Sequence, residues 1–491
     1  MEEASSIVEY IARHARTCPD RIAVADKRGA LSYSLFWQKI RALSSALSRL
    51  GVSQGDCVVA GCTQDTSYAV CEFAIQLLGA VFVPTEKNAS ADRILQICRE
   101  TEASLFIGKE SPDPSVPFFD IRQTASLTGA DRLHSDENIR FPHKEDVAEI
   151  LFSTGTTGKS KGIVLTHGND IALAENVLYG VEMKKDNVEL IPMPLSHSHG
   201  LRRTYANLVN GSSVVFADGV TLLKQVFDLM DKYRVTAVDL SPSMLTIIFK
   251  LSKDRIGDYS EQIDYIQLGS APLPEEEKLR LRRLLPRARL YNFYGSTESG
   301  CTCLLNFNTD ADRPHCIGRP AKNARFIVVD EDKKPISSSE ENTGFLASSG
   351  PMNMKGYFKA PELTESVLKD GYLYTKDLGY IDEEGRVYML GRKDDVINCG
   401  GIKIAPEEIE GAVMAAPSIL DCACIPAPDP LTGQVPKLFI VPDDPQNFDL
   451  KAFRKFLSSA LEPGKQPKYI EIIEKIPRTF NGKIQRNKLR S

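Results

Sequence analysis

One run of nine residues concentrates chemistry most plainly: Ser153-Thr154-Gly155-Thr156-Thr157-Gly158-Lys159-Ser160-Lys161. Its glycines let backbone N–H groups approach an anion closely. Its hydroxyls add donors and its two lysines add positive charge. By composition the run is a phosphate cradle; the bland alternative is a flexible polar turn. It nearly spells GxxxxGKS, but Ser153 stands where that pattern has its first glycine. A loop of that kind must also open a helix, whose N-terminus helps to hold the phosphate. Here Gly162-Ile163-Val164-Leu165-Thr166 follows, and its β-branched residues predict a strand. Strand–loop–strand is the wrong context for a P-loop nucleoside triphosphatase and suits a mobile loop lying over phosphates. His197 and His199 are the only close histidine pair, and no third ligand accompanies them, which argues against zinc.

Such a loop must hang from rigid elements. Phe36, Ile40, Leu43, Leu47 and Leu50 step by three and four, predicting a helix over Ser34–Leu50 that Gly51 stops. Strand-like runs recur at Val81–Val83, Ile150–Phe152, Ile163–Leu165, Val214–Phe216 and Ile327–Val329. Helical patterns at Leu222–Tyr233 and Pro274–Leu285 lie between several of them, and this alternation predicts an α/β architecture. Lys109–Pro117 and Asp330–Asn342 read as exposed loops, the second as a hairpin tip. Around Gly391–Asp395 the pattern becomes a compact αβ region ending in a basic tail, so a boundary is placed near Asp394.

Composition bounds the rest. A chain of 491 residues, 42% hydrophobic and 25% charged, is too long and too ordinary for a collagen-like, mostly disordered or disulfide-stapled class. Its net charge of −5 shows no global basic excess that would advertise nucleic acid. The longest apolar stretch, Tyr68–Pro84, is interrupted by Glu72 and Gln76, favouring a buried helix running into a strand over a membrane span. The N-terminal segment lacks the basic start and apolar core of a signal peptide. The 11 cysteines include no CxxC pair and read as reduced core thiols. The cytoplasm is the expected compartment.

With its hydroxyl run and the Lys161-Gly162 that follows, the loop resembles that of the adenylate-forming superfamily, which includes acyl- and aryl-CoA ligases, peptide-synthetase adenylation domains and firefly luciferase. Seven more segments stand in that family's order: Pro194–Leu201 (PLSHSHGL), Leu268–Leu273 (LGSAPL), Tyr291–Glu298 (YNFYGSTE), Tyr374–Asp377 (YTKD), Gly391–Asp395 (GRKDD), Gly400–Ile404 (GGIKI) and Pro477–Lys483 (PRTFNGK). The first 150 residues resemble it more loosely, through Gly79–Pro84.

The resemblance implies an α/β fold with a large, multi-subdomain N-terminal adenylation body, residues 1–393, and a small mobile α+β lid, residues 394–491, turning about a hinge at Asp394. It implies two chemical steps. A carboxylate attacks the α-phosphate of ATP, giving an acyl-adenylate and pyrophosphate; a thiol then attacks the activated carbonyl and releases AMP. A carboxylate is a poor electrophile because it would have to expel oxide, whereas AMP leaves readily. The protein's task is to neutralise phosphate charge and align the attack. ATP, Mg2+ and coenzyme A are the implied cofactors.

Roles carry over residue by residue. Ser153, Thr154, Gly155, Thr156, Thr157, Gly158 and Lys161 would hold the β- and γ-phosphates. The family often has proline where Ser160 stands. Tyr294 resembles the aromatic that stacks on adenine and Asn292 the reader of its edge, with Gly269, Ser270, Ala271 and Gly295 completing the nucleotide site. Thr297 would contact the α-phosphate, and Glu298 would bind Mg2+, a hard cation suited to oxygen ligands. Asp377 resembles the acceptor for both ribose hydroxyls, with Arg392 beside it on ribose or phosphates. Lys483 resembles the lysine that reaches the reacting carboxylate and α-phosphate. Gly400 and Gly401 match the wall of the thiol tunnel, where bare backbone admits a pantetheine arm.

His197 resembles the histidine near the acyl carboxylate. His199, Gly269, Ser270, Ser299, Gly300, Cys301 and Met244 stand at positions that line the acid pocket, and each would serve core packing equally well. Arg202 and Arg203 depart from the family, which often has small or apolar residues there. A buried arginine needs an anionic partner. One of the two, with Arg203 placed in the substrate pocket, would pair with a second acidic or polar group of the substrate; the slightly favoured alternative is that both point toward solvent, an ion pair or CoA phosphates. The leading functional expectation is an AMP-forming acid–CoA ligase. The alternatives are an enzyme loading an acyl-carrier protein and a non-catalytic nucleotide- or acyl-binding relative.

Overall fold

The computed structural model describes residues 3–127, 139–153, 161–271, 273–310, 313–399, 402–478 and 484–490, with the backbone alone at Ser153, Ile402 and Lys403. Thr154, Gly155, Thr156, Thr157, Gly158, Gly400, Gly401 and Lys483 lie outside the described residues.

Among the described residues the strands form three sheets. In a seven-stranded sheet, Lys161–Thr166 lies between Gly356–Tyr357 and Val147–Ser153. Val147–Ser153 and Lys161–Thr166 pair antiparallel out to Ser153 opposite Lys161. The phosphate-cradle run therefore joins two paired strands, as the β-branched residues after Gly162 predict. Beyond them the sheet continues through Val81–Thr85, Cys57–Gly61, Leu105–Gly108 and Phe118–Asp120, all parallel.

The largest sheet has 14 strands. One half is parallel, in the order Ile22–Ala25, Ser213–Phe216, Val188–Ile191, Ala237–Leu240, Tyr265–Leu268, Arg289–Ser296. The other half turns antiparallel through Gly300–Asn306 and Cys316–Pro320 to Val387–Arg392 and Tyr372–Ile381. Buried strands such as Ser213–Phe216 (SVVF) read as continuous runs because helices cover both faces of a parallel sheet. Between the sheets, the helices His167–Gly180 and Ser198–Asn210 pack together. The first starts with a reciprocal capping box between Thr166 and Asn169; the second ends at Gly211, which adopts the left-handed conformation that stops a helix.

A third sheet of five strands begins at Ile397 and has its own core of Ile397, Ile404, Ile409, Val413, Cys424, Leu438 and Phe453. With the helices Pro406–Met414 and Leu450–Ala460 it forms the small α+β C-terminal domain beside the large α/β body.

The local expectations hold with small shifts of boundary. The helix expected over 34–50 runs Tyr33–Arg49, because the Ser32 hydroxyl accepts from the Leu35 N–H and starts it earlier. The apolar stretch from Tyr68 is a buried helix, Thr66–Leu77, followed by the strand Val81–Thr85. Arg325–Val329 and Gly344–Ser349 pair as the expected hairpin. All 11 cysteines are free thiols. Among the described residues no helix is long and apolar enough to cross a membrane.

Candidate active site

The sheet order brings the carboxyl ends of Val188–Ile191, Ala237–Leu240, Tyr265–Leu268 and Arg289–Ser296 side by side. In open α/β sheets this edge is where ligands bind, because the loops leaving it converge. Those loops lead to His197, to Gly269-Ser270-Ala271 and to Thr297-Glu298.

The residues expected to hold the nucleoside meet across the antiparallel half of the sheet. Asp377 and Arg392 are register partners, and the Arg392 Nε lies 3.5 Å from the Asp377 Oδ1. The Tyr294 hydroxyl donates to the other carboxylate oxygen, Oδ2. The Asp377 N–H donates to the Thr375 hydroxyl at 3.1 Å, fixing the backbone that presents the carboxylate. Burial, and next the Asp377 charge, push the Tyr294 phenol well above its ordinary range, so it stays a donor. The Asn292 Oδ1 is buried without a partner among the described residues, an orphaned acceptor of the kind an adenine amino group would satisfy.

Lys161 and Glu298, expected to face the phosphates, are tied together through Tyr357. The Lys161 ammonium sits 5.3 Å from the centre of the Tyr357 ring, and the Tyr357 hydroxyl donates to Glu298 Oε1 at 3.0 Å. The Met354 N–H holds the Glu298 carbonyl at 2.7 Å. Thr297 exchanges a hydroxyl hydrogen bond with Ser198 at 3.1 Å. Ser296 and Ser299 each accept the other's backbone N–H, both at 3.1 Å, closing the turn between the strands. Gly295 is required there, since a Cβ would fall 1.9 Å from the Gly300 carbonyl.

His197 is the N-cap residue of the helix Ser198–Asn210. Burial, opposed by Glu86 and reinforced by His199, holds its imidazole below the usual range, so it is neutral at pH 7. His199 bridges Asp239 Oδ1, at 2.8 Å from its Nε2, and the Ser270 hydroxyl, at 2.9 Å from its Nδ1. Asp239 is fully buried while Ser270 is exposed, with its backbone in the left-handed region at φ 73°. Gly269 lets the histidine approach: a Cβ there would meet the His199 ring at 3.0 Å. Met244 packs against both large cores. Burial raises the Cys301 thiol, against the pull of Arg202 and Arg203.

Arg203 belongs elsewhere. It is 1% exposed, and its Nε and Nη2 contact Glu189 Oε1 at 2.8 and 2.5 Å, with the Tyr265 hydroxyl 3.1 Å from Nη2. The internal ion pair answers its charge, which removes the reason for assigning it to a second acidic group on a substrate. Asp394 pairs with Lys376 at 3.0 Å, and its carbonyl accepts from Arg490 near the C-terminus.

Sequence reasoning missed Asp239, Tyr357 and Ser198. A lone carboxylate in the fully buried strand Ala237–Leu240 was a usable signal. Tyr357 acts on a glutamate 59 residues away, a distance no local pattern spans.

The profile of the AMP-binding enzyme family matches residues 11–358, and that of the AMP-binding enzyme C-terminal domain matches residues 408–483. A feruloyl-CoA synthase from Amycolatopsis sp is 29% identical over 97% of both chains. A 4-coumarate–CoA ligase 2 from Oryza sativa subsp. japonica is 27% identical over 98% of this chain and 91% of its own. The crystallised o-succinylbenzoate CoA synthetase MenE from Bacillus subtilis, in complex with the acyl-adenylate intermediate OSB-AMP, superposes with a TM-score of 0.86 at 22% identity, over 100% of this chain and 99% of its own. The first profile covers well over half of the chain and includes the Tyr294, Thr297 and Glu298 cluster, so the protein is a member of the AMP-binding enzyme family.

Proposed function

We propose that this enzyme activates a carboxylic acid with ATP, releasing pyrophosphate, and transfers the acyl group to coenzyme A. One observation carries the reading: Tyr294 donates to Asp377, which pairs with Arg392, and Tyr294 lies on the strand Arg289–Ser296 that leads directly into Thr297 and Glu298. Adenine and ribose seated there put the α-phosphate at Thr297. Lys161 and the residues of the 153–161 run would hold the remaining phosphates.

Glu298 fits a Mg2+ ligand, because Tyr357 engages only one of its two oxygens and a carboxylate oxygen suits a hard cation. Bound there, Mg2+ would neutralise phosphate charge. His197, neutral and half-buried, would stand beside the acid with no charge to trap the carboxylate. Lys483 supplies the positive charge between carboxylate and α-phosphate when residues 394–491 turn about Asp394. The alternate orientation brings Gly400 and Gly401 to the thiol. This division at Asp394 matches the short chain between Arg392 and the separate C-terminal sheet that starts at Ile397.

The relatives' names put ferulic and 4-coumaric acids first among candidate acids. The test is pyrophosphate release over aryl, medium-chain, long-chain and dicarboxylic acids, with and without CoA. Acid-dependent pyrophosphate, plus thioester and AMP when CoA is present, is the expected result. Thioester formed only on a phosphopantetheinyl carrier would reassign the acceptor. No acid-dependent release across the panel would leave a nucleotide-binding protein without this activity.

A further inference from the structure

Arg202, unlike its neighbour Arg203, reaches the active-site turn. Its Nη2 donates to the Thr297 carbonyl at 2.9 Å, and the side chain is 6% exposed. Ser198, one helical turn earlier on the same face, holds the Thr297 hydroxyl at 3.1 Å. Thr297 is thus gripped at its hydroxyl and at its carbonyl by one helix.

A cluster of buried acids lies within electrostatic reach of Arg202. Glu72, Glu149 and Asp170 are all within 1% of full burial, and Arg202 acts electrostatically on Glu149 and Asp170. The Tyr205 hydroxyl lies 2.5 Å from Glu72 and 2.7 Å from Glu149. A phenol has one proton to donate, so one of those two carboxyls must carry a proton of its own. The acids near Arg202 are therefore not all ionised.

We propose that Arg202 and Ser198 are positioning residues for the phosphate-contacting turn, clamping Thr297 so that its hydroxyl is already oriented when ATP arrives. This rests on the reading that Thr297 contacts the α-phosphate. The Arg202 Nε has no partner among the described residues, so the competing role is to hold a polar group of the acid.

The test compares Ser198→Ala, Arg202→Lys, Arg202→Met and Thr297→Ala in acid-dependent pyrophosphate release, with ATP and acid varied separately and thermal midpoints measured alongside. Ser198→Ala should lower kcat about three- to tenfold, the worth of one hydrogen bond. Arg202→Met should lower it further, and Arg202→Lys should recover part of the loss by keeping the charge. The KM for the acid should stay within about twofold in all three. Wild-type kcat in both Ser198→Ala and Arg202→Lys overturns the proposal, even if Arg202→Met fails to fold. A change confined to acid KM or acid preference also overturns it. Full activity in Thr297→Ala sinks the underlying assignment of Thr297 instead.

Discussion

The Tyr294 hydroxyl donates to the Asp377 carboxylate, joining the side chain proposed to cover adenine to the one proposed to hold the ribose, although they are 83 residues apart. Asp377 uses one oxygen for Tyr294 and turns the other toward Arg392. An ionised carboxylate has about four acceptor positions, so ribose hydroxyls can still be received. Asp377→Ala should raise the KM for ATP at least about tenfold by removing all of these at once. Tyr294→Phe keeps the ring and loses one hydrogen bond, so about a fivefold rise is expected. Steady-state pyrophosphate release at varied ATP checks both; a wild-type KM in Tyr294→Phe would show that the ring, not the bond, matters.

Tyr357 orients Glu298 through one oxygen. Glu298→Gln should raise the Mg2+ concentration needed for half-maximal activity. Tyr357→Phe should raise it less, since the carboxylate remains and only its orientation loosens. A magnesium titration of each variant at saturating ATP decides; an unchanged midpoint in Glu298→Gln would remove Glu298 from the metal site.

Removing Arg203 leaves Glu189 buried and ionisable with no cation beside it. Arg203→Met should cost about 3–5 kcal/mol of stability. The double variant Arg203→Met, Glu189→Leu should regain part of that, because no unpaired charge is left. Denaturant unfolding measures both. The folded single variant should keep the wild-type order of acid preference.

Burial, and next the Glu149 charge, raise the Glu72 carboxyl well above its ordinary 4.5. A group whose folded pKa is raised favours folding while protonated, and that advantage is lost as pH climbs from the unfolded value through the folded one. Wild type should therefore lose stability above about pH 4.5 relative to Glu72→Gln, which cannot ionise. Thermal melts from acid to alkaline pH should show the variant's advantage widening upward. A constant gap would mean that Glu72 holds its proton equally well in the folded and unfolded chains.

Lys483→Ala should depress pyrophosphate release by about 100-fold or more, the usual scale for losing a charge aimed at a transition state. CoA transfer from supplied acyl-adenylate should remain near wild type. Equal loss of both half-reactions would contradict a lid that alternates between them.

Local pattern carried much of the architecture. The β-branched run Ile163–Thr166 announced strand–loop–strand around the cradle, and the three–four spacing of Phe36 to Leu47 announced its helix, because both express backbone preference and one-sided burial. The motif residues Tyr294, Thr297, Glu298, Asp377 and Arg392 were legible by type and order, and the fold brings Tyr294, Asp377 and Arg392 together.

The partners of those residues were not legible. Neighbouring arginines 202 and 203 look alike in sequence, yet one meets Glu189 inside the core and the other reaches the Thr297 carbonyl. Successive residues on a helix point about 100° apart, so adjacent side chains enter different surroundings. Tyr357 on Glu298, Asp239 on His199 and the Glu72–Tyr205–Glu149 cluster likewise exist only once distant strands and helices pack. Residue type and spacing determined which chemistry this protein carries. Which groups are paired, buried or left to meet a ligand depended on approaches of a few ångströms, and those are set by tertiary packing.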